Sequence, residues 1–144
     1  MSIGPWSEGT SNVIEGGTFT QCAAGSCVSA TGQILSNGAV TESQLLGKLG
    51  EWSNPQALAT ALNDAVPGSS WTGGYFASED DALAVAESGQ FGAVLQAPGA
   101  PAHMVTISPA PLSPGYFVVQ DTGAGATYTV NSSWIRQYVA GGVW

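Results

Sequence analysis

The sequence predicts one α+β domain in which a helical half precedes a sheet half. Three observations carry that expectation. Positions 26 to 89 hold a succession of helix caps, each followed by apolar residues at three- and four-residue spacing. From Phe91 onward the pattern changes to short β-type runs separated by Gly and Pro clusters, which suits antiparallel pairing. A length of 144 residues, 44% hydrophobic and 8% charged, fits a single domain with a real core and does not fit a disordered chain. Helices first and strands second imply segregated halves. No internal repeat and no dividing linker is visible.

Taken in order, residues 1–16 read as a loose lead-in rich in Gly, Ser and Thr, with room for a short strand. Trp6 and, just beyond, Phe19 are its anchors, and Gly16-Gly17 breaks any regular element. The domain proper is expected over 17–144. Ser26 is placed to cap a helix of about ten residues that opens on Cys27, with Val28, Thr31, Ile34 and Leu35 on one face. Asn37-Gly38 ends it. Thr41-Glu42-Ser43-Gln44 has the form of a capping box before Leu45, Leu46 and Leu49, and Gly50 closes that helix. Asn54-Pro55 supplies a cap and a first-position proline for a third helix through Ala57, Leu58, Ala61 and Leu62. Val66-Pro67-Gly68 turns into a strand over Trp71–Phe76, broken at Gly73-Gly74. Ser78 starts a fourth helix whose first-turn acids complement the helix dipole. Strands are expected over Phe91–Gln96, His103–Ser108, Tyr116–Gln120 and Thr127–Val130. Asn131 or Ser132 caps a last short helix through Trp134, Ile135 and Tyr138. Gly141-Gly142-Val143-Trp144 reads as a returning edge strand. The five tryptophans are expected to serve the core.

Composition excludes several functions. Ten acidic residues stand against Lys48 and Arg136, a net charge of -8. Two cations cannot form a phosphate-binding patch, so nucleic acid and anionic membrane are not expected partners. No apolar run of about 18 residues is present to span a membrane. Residues 1–6 lack the basic and apolar regions of a signal peptide. One His and two Cys make no zinc cluster, and no metal or cofactor is expected. A Cys22–Cys27 disulfide would close only a short loop and stabilise little.

What remains is a nucleophile set. Cys27 sits where a helix should begin, and unpaired N–H groups with the helix dipole favour a thiolate there. His103, the only histidine, opens a strand-like run. Asp121 ends the next one. An imidazole can take the thiol proton, and a carboxylate can fix the tautomer of the imidazole. Gln21, six residues before Cys27, would offer a side-chain amide as an oxyanion donor. Cys22 is the rival nucleophile, but the position six before it is Gly16, which has no such donor.

The Gln21-x5-Cys27 spacing, with Gly25-Ser26 before the cysteine, resembles the papain-like arrangement. The bacterial C39-like branch of papain-fold peptidases is closer. Ser26-Cys27-Val28-Ser29-Ala30, the Asn37–Glu42 turn, Ala102-His103-Met104-Val105 and Val118–Gly125 are similar to its blocks, with Thr122 where that branch often has Pro. Val28 replaces the aromatic residue of the papain signature, and Ala24 replaces the cysteine that precedes its glycine. The resemblance implies a papain-like fold and a cysteine peptidase acting through a thioester. Cys27 would be the nucleophile, His103 the base and then the acid, Asp121 the orienter, and Gln21 an oxyanion donor. It further implies a protein or peptide substrate with small or Gly-Gly residues before the scissile bond. A bacterial effector delivered into competing cells, acting in the target cytoplasm and countered by an immunity protein, fits the same family. Alternatives on the same fold are a deamidase, transglutaminase or acyltransferase, or a catalytically inactive binding module.

Overall fold

Every helix after the first starts on a side-chain cap that the sequence supplies. The computed structural model describes residues 3–144. Its elements run β1 (Ser11–Glu15), α1 (Cys27–Leu35), α2 (Glu42–Leu49), α3 (Pro55–Ala65), β2 (Gly73–Tyr75), α4 (Glu79–Ser88), β3 (Phe91–Leu95), β4 (His103–Pro109), β5 (Tyr116–Asp121), β6 (Ala126–Asn131), α5 (Ser132–Tyr138) and β7 (Val139–Val143). Thr41 and Gln44 close both halves of a capping box on α2. Asn54, Ser78 and Asn131 each accept a backbone N–H at the start of α3, α4 and α5.

The strands form one antiparallel sheet in the order β1-β6-β5-β4-β3-β7-β2. Period-two alternation along β3 divides the core between its faces. Phe91, Ala93 and Leu95 join Val105, Ile107 and Val119 under α4 and α5. Val94 and Met104 turn the other way and pack with Leu45, Leu58 and Leu62 of α2 and α3. Each of those leucines is fully buried, which favours the fold by about 1.5–3 kcal/mol apiece. The expected segregation thus holds along the chain but not in space: three helices lie on one face and two on the other.

Two local expectations change. The C-terminal strand β7 is interior, flanked by β3 and β2, and the edges are β1 and β2. Gly142 allows this, because a Cβ there would run into the Gly92 carbonyl oxygen. Gly73-Gly74 does not break β2, since both residues pair with β7. The short strand for which the lead-in leaves room is Ser11–Glu15, an exposed edge strand paired with β6.

The register determines which residues meet. β4 begins at His103, β5 ends at Asp121 and β6 begins at Ala126, so all three termini fall at one end of the sheet. The N-terminus of α1 lies at that same end, with Cys27 packed against Met104 in one cluster.

Candidate active site

Ser26 occupies the cap position of α1, yet its side chain makes no cap bond. The hydroxyl turns backwards instead, 2.8 Å from Glu42 Oε2, and accepts from the Ala23 N–H at 3.1 Å. Glu42 Oε2 also accepts from the Cys22 N–H at 2.9 Å, and Glu51 Oε1 accepts from the Gly25 N–H at 3.2 Å. Two carboxylates thus hold the 22–26 loop from behind. The first-turn N–H groups of α1 are left without a side-chain cap at the residue where a thiolate would need them.

Cys27 is buried, and burial pushes its thiol up. A hydrogen bond from His103, the imidazolium charge, and the backbone N–H groups of Met104 and Val28 more than offset this, so the thiol lies below its ordinary range. Burial depresses His103, but hydrogen bonds and charge from Asp121 and Cys27 win and raise it to about 9. Asp121 is 1% exposed. Burial raises its carboxyl, and the His103, Tyr128 and backbone donors bring it below the usual carboxylate range. The three groups therefore favour a thiolate, an imidazolium and a carboxylate together.

His103 Nε2 lies 2.7 Å from Asp121 Oδ1, which leaves Nδ1 for Cys27. Oδ1 also accepts from the N–H groups of Gly123 at 3.1 Å and Ala124 at 3.4 Å. Gly123 is needed at this turn, because a Cβ there would lie 2.8 Å from His103 Cε1. Oδ2 accepts from the Tyr128 hydroxyl at 2.9 Å. Trp6 stacks on the imidazole, with ring centroids 5.3 Å apart and planes within 5°. Its backbone carbonyl accepts from Trp134 Nε1 at 2.8 Å, which fastens the N-terminal segment over the site.

Gln21 stands beside this group but is already engaged. Its Nε2 donates to the carbonyls of Ala23 at 2.9 Å and Ala24 at 3.1 Å, and its Oε1 accepts from the Thr122 hydroxyl at 3.0 Å. Both amide protons are committed, so an oxyanion role requires one of them to leave its carbonyl. Cys22 is exposed, with its sulfur 3.9 Å from the Ser26 hydroxyl oxygen, and both cysteines are free thiols. It is Cys27 that lines a cavity with His103.

Two cavities adjoin the dyad. One, of about 240 Å³, is lined by Cys27, Val28, Pro55, Tyr75, Val94 and Met104 among others. The other, of about 320 Å³, includes Trp6, Gln21, Ala24, His103, Asp121 and Ala124. Trp52 lines both. Contrary to the expectation that the tryptophans serve the core, Trp52 is 64% exposed. Its loop carries it at φ 59 and ties its N–H to the Gly25 carbonyl at 2.9 Å, so the indole overhangs the cleft.

The sequence reading missed the roles of Tyr128, Glu51 and the Trp6 ring. Tyr128 had a usable signal. The Thr122–Gly125 turn pairs Asp121 with Ala126, and two residues along the same face is Tyr128. Glu51 and Trp6 meet the site through loops and gave no comparable pattern. Among the described residues no group of three or more His, Cys, Asp or Glu could hold a metal, and no helix is long and apolar enough to cross a membrane. No protein-family model matches the chain, and no match to it was found among curated proteins.

Proposed function

We propose that the chain is a cysteine endopeptidase with a papain-like fold of the C39-like kind, hydrolysing peptide bonds through a thioester. The observation that carries this reading is that Cys27, at the uncapped start of α1, lines one cavity with His103, whose Nε2 lies 2.7 Å from Asp121 Oδ1. The Cys27 thiolate attacks the substrate carbonyl carbon. The resulting oxyanion is met by the Cys27 backbone N–H, with a Gln21 amide proton recruited from its resting carbonyl partner. Imidazolium His103 gives its proton to the leaving amine, and the thioester remains on the sulfur. His103, now neutral, takes a proton from water, the hydroxide adds to the thioester, and the carbon–sulfur bond breaks to release the carboxylic acid and restore the Cys27 thiolate beside imidazolium His103. Asp121 holds the ring so that Nδ1 stays directed at the sulfur throughout.

Trp52 over the cleft supports small residues beside the scissile bond, in line with the double-glycine preference that the resemblance implies. Delivery into competing bacteria, and neutralisation by a dedicated inhibitor, rest on the resemblance alone. The net charge of -8 makes a basic inhibitor surface the natural complement.

The test is incubation with a proteome-derived peptide library, followed by mass spectrometry of new N-termini. The active protein produces new termini, Cys27→Ala produces none, and an acyl-enzyme adduct accumulates on Cys27 with an activated ester substrate. An adduct resolved only by added amines, with no new termini, would replace the peptidase by an acyltransferase. Absence of both adduct and termini would leave a binding module.

A further inference from the structure

Tyr128 is buried against the His103–Asp121 pair, and the proposed chemistry gives it no part. It belongs to β6, diagonal to Asp121 across the β5–β6 pairing, with Val119 opposite it. Its side chain is 1% exposed. Its hydroxyl donates to Asp121 Oδ2, the oxygen that His103 does not use. The carboxylate is thus gripped from both ends. His103 and two backbone N–H groups hold Oδ1, and Tyr128 holds Oδ2. A carboxylate held at one oxygen can rotate about its last torsion, whereas one held at both cannot without breaking a buried bond. Around the ring, Trp134 packs edge-on at 6.3 Å, and Trp6 Nε1 faces the hydroxyl without closing a well-formed hydrogen bond.

We propose that Tyr128 is a positioning residue whose hydroxyl fixes the Asp121 carboxylate and, through it, the His103 ring that serves Cys27. The inference rests on the peptidase reading of the site. Burial and the neighbouring Asp121 carboxylate push the phenol well above its ordinary range, so it remains a proton donor wherever the site works. The titratable groups acting on Asp121 are His103 from β4 and Tyr128 from β6. Those acting on His103 are Asp121 from β5 and Cys27 from α1. Among the described residues, Asp121 is the carboxylate that the hydroxyl meets.

The experiment uses Tyr128→Phe, which keeps the ring and removes only the donor. Because His103 is the sole histidine, its imidazole N–H can be followed without ambiguity in a nitrogen-labelled sample. The expected results are a protected Nε2–H signal in the wild type, its loss in the folded variant, and iodoacetamide labelling of Cys27 slowed by about tenfold at pH 7, the scale of one hydrogen bond to a charged group. The KM for a cleaved peptide should hold while kcat falls. A folded variant with an unchanged imidazole signal and unchanged labelling overturns the inference. Should the variant fail to fold, the wild type still decides: a Tyr128 hydroxyl proton that exchanges freely with water means the bond to Asp121 is not held. Wild-type Cys27 labelled no faster than Cys22 would instead remove the peptidase reading itself.

Discussion

His103 joins the two halves of the site, and its titration governs what the site can do. Raised to about 9, it is protonated through the neutral range, while Cys27 lies below its ordinary range and is shifted toward the thiolate. The activity profile should therefore be a bell. The acid limb reports protonation of the thiolate, and the alkaline limb, near pH 9, reports loss of the imidazolium that protonates the leaving amine. A profile still rising at pH 10 would contradict that assignment. Stability is a poorer probe of the same pair. A raised histidine contributes stability present below its unfolded value and lost as pH rises through about 9. A depressed thiol contributes stability present above its unfolded value and lost as pH falls through its folded one. The two slopes oppose each other where those ranges overlap, so reactivity reads the pair better than unfolding does. At this scale the grouping of Cys27, His103 and Asp121 was legible because a thiol, an imidazole and a carboxylate are distinctive residue types. The resting bonds of Gln21 were not, since an amide six residues before a cysteine can face either the cleft or its own loop.

Among the elements, α2 does most for the nucleophile without touching it. Its capping box fixes where Glu42 emerges, and Glu42 holds the Cys22 N–H and the Ser26 hydroxyl. Thr41→Ala should cost about 1 kcal/mol in urea unfolding, the usual value of a lost N-cap. Glu42→Ala should reduce kcat by about tenfold by releasing the loop, and Glu42→Gln, which keeps an acceptor, should recover most of it. Equal losses in both variants would mean that charge, not loop anchoring, is what matters. The capped helices and the four strands from Phe91 to Asn131 were readable because caps, periodicity and turn residues are local signals. The side-chain cap expected of Ser26 did not form, because Glu42, sixteen residues away, offers the hydroxyl a charged acceptor.

At the scale of the whole molecule, the sheet is covered by helices on both faces, and the site lies at one end of it, where α1 meets β4 and β5. Leu58, fully buried among α1, α2 and α3, is a direct probe of the layer beneath the nucleophile. Leu58→Ala should destabilise by about 2–5 kcal/mol in the same urea assay. The α+β class was legible from the change of period at Phe91. The interior position of β7 was not, because strand order depends on contacts between distant segments, here Gly142 against Gly92 and Gly141 against Gly74. The central claim is that Cys27 is an activated nucleophile served by His103. The most direct measurement is intact-mass kinetics of iodoacetamide labelling at pH 7 on the wild type, Cys27→Ala, Cys22→Ala and His103→Ala. The account predicts fast single labelling that survives Cys22→Ala, disappears in Cys27→Ala and slows at least tenfold in His103→Ala, because only the thiolate reacts quickly. Slow labelling of both cysteines, indifferent to His103, would contradict it.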